Sequence, residues 1–308
     1  MAFPPDALAM MAEIDMDYDE ALTKPAADDS GRRMWRDIVY AVELGFRPLV
    51  LDVTVPQGEG PFPLVVYIHG GAWFIGGPSL TNPKYRKLDF HNKLLNAGFA
   101  VARISYRFSS EGKFPMQLHD CKAAIRFLRH HAATFKVDPN RIAAMGDSAG
   151  GHLAAMLGVT NNNSALEGSI GSLECSSAVQ AVVDWFGPIN FLTMESDARK
   201  ANLNWPSHDA PDAPEALLVG GPVQDMREAV LAASPLTYVN ATAPPYLIQH
   251  GTKDRMVPLA QSQALADKLK AAGCDVTLTA IEGADHCFWG VGENGIVEET
   301  ISFLRRVI

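Results

Sequence analysis

The six residues Gly146-Asp147-Ser148-Ala149-Gly150-Gly151 constrain this chain more than any other segment. They join a short apolar run at 141–145, suited to a buried strand, to a helical pattern at 149–159. A chain that passes from strand to helix so quickly must turn sharply, with Ser148 at the apex in a strained backbone conformation. Positions 146 and 150 then need glycine, because a side chain there would collide with the turn. The turn pushes the Ser148 hydroxyl out at the carboxyl edge of the strand. It also sets that hydroxyl at a helix N-terminus, where partial positive charge favours a developing anion. Taken alone, the hexapeptide also fits a tight turn with a capping serine. Its weight comes from what surrounds it.

What surrounds it is a chain that alternates strand-like and helix-like stretches. Residues 37–44 and 48–55 alternate enough to open as antiparallel strands. Residues 63–69 (PLVVYIH), 99–106 (FAVARISY), 178–186 (AVQAVVDWF), 245–250 (PYLIQH) and 275–281 are further strands. Residues 115–135 place Leu118, Cys121, Ala124, Ile125 and Leu128 at helical spacing, and 259–272 and 295–307 read as later helices. Strand–helix alternation with continuously apolar strands predicts an α/β fold: a mostly parallel central sheet with helices on both faces. Residues 1–30 are polar, acidic and Pro-containing and are expected to form an N-terminal arm. Residues 31–308 are expected to form a single domain. Residues 188–232, rich in Asp, Pro, Asn and Trp, interrupt the alternation and are expected to insert as a small cap.

Bulk properties exclude several function classes. A net charge of −9 gives no concentrated basic face, so no nucleic-acid partner is expected. No stretch approaches the roughly 18 apolar residues of a membrane span. The N-terminal segment lacks the basic start and apolar core of a secretory signal, so a cytoplasmic protein is expected. The four cysteines (Cys121, Cys175, Cys274, Cys287) include no CxxC pair, which fits reduced thiols rather than a disulfide framework or a zinc site. No metal and no cofactor is expected. A homo-oligomer is compatible with the sequence.

A serine nucleophile needs a base, an acid to orient the base, and donors for the anion that forms. The loop His69-Gly70-Gly71-Ala72-Trp73 follows a strand, and its small residues let main-chain amides come close to a substrate oxygen. The amides of Gly71, Ala72 and Ala149 are the candidate oxyanion donors, with Gly70 a weaker one. His69 reads better as a group that orients this loop than as a base. Among histidines after Ser148, His152 lies on the nucleophile's own helix, His208 in the cap, and His250 at a strand end ahead of the best acid. His286 sits between the last strand and the last helix, where a base can reach over the nucleophile. Asp254, in HGTKDRMVP, follows a strand and precedes a helix; Asp184, in VVDWFGP, is its rival. Asp147 reads as a structural acceptor, and Asp285 adjoins His286 too closely to face its Nδ1. Trp73, Phe74, Trp185, Phe288 and Trp289 flank these motifs and are candidate walls of an aromatic pocket. Cys287 reads as a spectator.

The strings HGGAW, GDSAGGHLAAMLG, VVDWFGP, AASPLTYV, PPYLIQHGTKDRMVP and GADHCFW resemble the α/β-hydrolase serine esterases. They are similar to the lipase/esterase group that includes hormone-sensitive-lipase-like esterases, and most of all to the subgroup of bacterial feruloyl and acetyl-xylan type esterases. The resemblance runs from about residue 35 to the end and leaves out only the arm. It implies the triad Ser148, Asp254 and His286, with the 70–72 loop and Ala149 as oxyanion hole. It also implies a carboxylesterase acting on short acyl esters, aryl or acetylated-carbohydrate esters among them, as its small-molecule substrates. The chain departs from the commoner HGGG form at Ala72. HGGxW occurs too in kynurenine formamidases, so hydrolysis of an aryl formamide is the alternative.

Overall fold

The structure is a computed structural model that describes residues 22–28, 30–80, 82–203, 207–292 and 295–308. Most of the expected arm, residues 1–21, lies outside the described residues. Among those described, one sheet carries nine strands: β1 (Ala26–Ala27), β2 (Arg33–Ala41), β3 (Leu49–Thr54), β4 (Phe62–Ile68), β5 (Ala100–Ile104), β6 (Val137–Asp147), β7 (Ala181–Trp185), β8 (Tyr246–Gly251) and β9 (Val276–Ile281). Their spatial order is β1-β2-β3-β5-β4-β6-β7-β8-β9. The first three pair antiparallel, as expected of an antiparallel start, and β5 through β9 pair parallel. This is the mostly parallel sheet of the α/β-hydrolase fold.

The strands are apolar on both sides because both faces are covered. In β4, Leu64, Val66 and Ile68 join one core while Val65 and Tyr67 join the other. In β6, Ile142 and Ala144 divide from Ala143 and Met145 in the same way. The first core is covered by the helices Met116–His130, Ala149–Val159 and Leu259–Ala271, and the second by Phe90–Asn96 and Ile296–Val307.

Several boundaries differ from the sequence expectation. The helix expected across 115–135 breaks at His131, leaving Met116–His130 and Ala132–Phe135. Strand β6 starts at Val137, earlier than the apolar run that marked it. The helices Pro83–Leu88 and Phe90–Asn96 had no counterpart in the sequence reading. The segment inserted after β7 carries three short helices, Phe191–Lys200, Pro214–Val219 and Arg227–Ala232. At the other end of the sheet, β1 pairs with β2, and Trp35 Nε1 donates to the carbonyl of Leu22 at 3.0 Å. No helix among the described residues is long and apolar enough to cross a membrane.

Candidate active site

Ser148 sits between β6 and the helix Ala149–Val159 with φ 52° and ψ −120°, a region that costs of order 1–3 kcal/mol for a residue with a side chain. Two close approaches hold it there. A Cβ at Gly146 would lie 2.2 Å from the carbonyl oxygen of Gly150, and one at Gly150 would lie 2.0 Å from that of Ile68. The amide of Ser148 donates to the carbonyl of Trp185 at 2.8 Å, which ties the turn to the neighbouring strand.

Four strand ends meet at this point. From the loop after β9, His286 Nε2 lies 3.1 Å from Ser148 Oγ. Its other ring nitrogen, Nδ1, lies 2.8 Å from Asp254 Oδ2, and Asp254 follows β8. The His286 ring packs edge-on against Phe186, with centroids 4.8 Å apart. Asp254 is buried, and its Oδ1 accepts the amides of Met256 and Val257, both at 2.9 Å. A second imidazole, His250 Nε2, stands 3.3 Å from Asp254 Oδ2 while also facing the carbonyl of Val257 at 2.8 Å. His250 Nδ1 is anchored by Ser262 Oγ at 2.7 Å. Burial opposes ionisation of Asp254, but the hydrogen bonds from His250 and His286 outweigh it and hold this carboxyl well below the usual carboxylate range.

Asp285 has a separate task. Its Oδ1 accepts the amides of His286 at 2.8 Å and Arg255 at 3.0 Å, and its Oδ2 pairs with the Arg255 guanidinium. It therefore clasps the loops bearing Asp254 and His286 to each other. Asp184 is buried at the end of β7, accepts the amide of Gly187 at 2.8 Å and meets no imidazole within hydrogen-bond range.

The loop after β4 comes alongside the turn. Ala72 and Ser148 share the walls of both cavities beside the nucleophile, and Ala149 lines one of them. The amides of Gly71 and Ala72 meet no acceptor among the described hydrogen bonds, and that of Ala149 opens a helix, where N–H groups have no intrahelical partner. The weaker candidate, Gly70, requires correction. Its amide donates to Asp147 Oδ1 at 2.9 Å and so is turned away from any substrate oxygen. Asp147 also accepts Tyr67 OH at 2.5 Å and Tyr85 OH at 2.9 Å, and so links the loop after β4 to the turn that carries Ser148. His69 stacks on Tyr106 at 4.4 Å and contacts the carbonyl of Gly70 through Nδ1 at 2.7 Å, within the loop it was expected to orient. His152 is buried against the carbonyl of Ala233 at 2.7 Å, and burial takes its pKa down to about 4.

The aromatic pocket is only partly as expected. Trp73 and Phe74 line the two cavities. Trp185 and Phe288 do not: both are fully buried in the second core, in contact with each other at 5.2 Å. Trp289 is 45% exposed and borders neither cavity. Sequence reasoning missed Tyr67, Tyr85 and Met256, which do line a cavity, and the buried pair His208–Glu215 in the cap. Tyr67 carried a weak signal, a polar tip in the apolar run PLVVYIH, whereas Tyr85 lies in a charged stretch and carried none. The four cysteines are unpaired, and burial pushes the Cys287 thiol up to about 12.

Comparison with known proteins gives a consistent set. Esterase LipQ of Mycobacterium tuberculosis is 30% identical over 82% of this chain and 56% of its own. The chain spans about half the length of the curated relatives it matches, between 46% and 56% for the first three. Among solved structures, a truncated carbohydrate esterase from gut microbiota is 32% identical with a TM-score of 0.78, covering 92% of this chain and 99% of its own. The propionate-bound thermophilic esterase Est2 of Thermogutta terrifontis is 27% identical with a TM-score of 0.65, covering 87% of this chain and 91% of its own. The family profile BD-FAE matches residues 51–269, which span the strands from β3 to β9's approach and all four loops but the last. The chain thus belongs to the BD-FAE family, on the α/β-hydrolase fold.

Proposed function

We propose that this protein is a serine carboxylic ester hydrolase that works through an acyl-enzyme on Ser148. The observation that carries the reading is the line of contacts Asp254–His286–Ser148, at 2.8 and 3.1 Å. His286 takes the Ser148 proton as the oxygen attacks the ester carbonyl. Asp254, kept anionic by its donors, holds the ring in one tautomer and stabilises the imidazolium. The carbonyl oxygen becomes an anion held by the amides of Gly71, Ala72 and Ala149, each worth about 2.7–4 kcal/mol in comparable sites. The alcohol leaves with the proton from His286, and water repeats the sequence on the acyl-enzyme.

Relatives and structural neighbours named as esterases support this class, and the gut carbohydrate esterase supports carbohydrate esters as one source of substrate. The cavity of about 200 Å³ beside Ser148 supports a short acyl group. Replacing Ser148 with Ala is expected to lower kcat on p-nitrophenyl acetate by about 10⁶ and to abolish labelling by a fluorophosphonate probe. Near-native turnover in that variant would sink the assignment. An aryl formamide hydrolase would use the same groups, so faster turnover of N-formylkynurenine than of p-nitrophenyl acetate would select that alternative.

A further inference from the structure

Ser148 stands at the junction of two cavities of different character. The larger, about 550 Å³, is bounded by Phe74, Ile75, Leu80, Tyr85 and His286. The smaller, about 200 Å³, is bounded by Trp73, Ala149, Pro188, His208 and Glu215. His286 faces only the larger. A departing alcohol must collect its proton from His286 Nε2, so the alcohol occupies the larger cavity and the acyl chain the smaller. A cavity of about 150 Å³ holds benzene, so the smaller one takes an acyl group of roughly six to eight heavy atoms.

The smaller cavity is not lined as a hydrocarbon chain would require. His208 Nδ1 lies 3.2 Å from Glu215 Oε1, and both side chains are buried, at 7% and 6% exposure. The pair is built in rather than incidental. Glu195 Oε2 accepts the amide of His208 and the hydroxyl of Ser207, both at 2.9 Å, and Glu215 lies in the first turn of Pro214–Val219. Yet His208 Nε2 and Glu215 Oε2 are each buried with no hydrogen-bond partner among the described residues. Buried polar atoms are ordinarily satisfied, and a half-satisfied buried pair is a cost that an apolar acyl chain would leave in place.

Resting on the ester-hydrolase reading, we propose that His208 and Glu215 recognise a hydroxyl carried on the short acyl chain. The hydroxyl oxygen accepts from His208 Nε2–H while its hydrogen goes to Glu215 Oε2, so both orphaned atoms are satisfied by one group. Burial works against a charged His208, but the hydrogen bond and charge of Glu215 outweigh it and raise its pKa, which favours the form with both ring nitrogens as donors. A carboxylate has no proton to give Glu215 Oε2, and an ammonium has no lone pair to accept from His208 Nε2–H. A neutral group that both donates and accepts suits the pair.

The test compares kcat/KM on p-nitrophenyl butyrate with that on its 2-hydroxy and 3-hydroxy counterparts, using p-nitrophenyl acetate as a check on the underlying activity. The intact chain is expected to prefer at least one hydroxylated ester by tenfold or more, on the order of one to two hydrogen bonds. His208→Gln and Glu215→Gln are expected to bring that ratio close to one. A ratio near one in the unaltered protein, with acetate turned over, overturns the proposal and leaves the ester-hydrolase reading standing; a preference that survives in both variants overturns it too. The ratio in the unaltered protein decides by itself if a variant does not fold. Failure to hydrolyse any of the four esters would instead remove the reading on which the proposal rests.

Discussion

The carboxyl ends of β7 and β8 begin alike and end in different chemistry. The strands are adjacent, parallel and buried, and each brings up an aspartate sealed from water, Asp184 within β7 and Asp254 in the loop after β8. Among the described residues, Asp184 receives a single main-chain donor, Gly187 at 2.8 Å, and its Oδ2 has no partner. Burial accordingly pushes its pKa up to about 6. Asp254 receives two amides on one oxygen and faces two imidazoles with the other, and its carboxyl stays ionised. Burial alone makes a carboxyl reluctant to ionise; a full set of donors turns the same burial into a fixed anion beside a histidine.

The comparison breaks most readily in kinetics. Asp254→Asn is expected to lower kcat by about 10⁴, some 5 kcal/mol, because the amide favours the wrong tautomer of His286. Asp184→Asn is expected to leave kcat within a factor of about three, on a scale where a single hydrogen bond is worth about 1 kcal/mol. Comparable losses in steady-state assays of the two variants would erase the distinction drawn here.

Stability sharpens it from the other side. The folded-state pKa of Asp184 is raised from 3.8 to about 6, so between those values the folded chain binds more protons than the unfolded one. Stability is therefore lost as pH rises through that window, by about 3 kcal/mol for a shift of this size. Asp184→Asn removes the titration. Relative to the unaltered protein, the variant is expected to gain about 2 kcal/mol between pH 4 and pH 7.5, measured as urea midpoints at both, because the unfolded carboxyl is already largely ionised at pH 4. A difference that stays constant with pH would show that Asp184 ionises without strain.

The smallest effect concerns His250, a positioning residue that acts through Asp254. His250→Gln is expected to lower kcat about tenfold with KM unchanged, the scale of one hydrogen bond to a charged group. A raised KM with unchanged kcat would mean that the ring only shapes the neighbourhood.

How much of this was legible depends on how local the signal is. Ser148, Asp254 and His286 each lie in a short string whose glycines and strand–loop context can be read without the fold. Asp184 was readable as the weaker rival of Asp254 from the order of the loops alone, but the donors that separate the two, Met256, Val257 and His250, converge only in three dimensions. The helices Pro83–Leu88 and Phe90–Asn96 escaped because fewer than two turns give no helical period to detect. Strand β6 was read too short because residues 137–140 (VDPN) lack apolar alternation, yet Val137 pairs with Phe62. Trp185 was misread although its period-two partner Val183 points the same way, into the second core. The pair His208–Glu215 left no sequence signal, since its seven-residue spacing crosses a cap without periodicity.

Asp147 has one further consequence. Its carboxylate grips Gly70 and two tyrosines while its own carbonyl carbon is bonded to the nucleophile's nitrogen. One side chain thus ties the turn that carries Ser148 to the loop that carries Gly70. A substitution at residue 147 is therefore expected to disturb the Ser148 turn and the Gly70 loop together, whereas the inserted helices lie outside that tie.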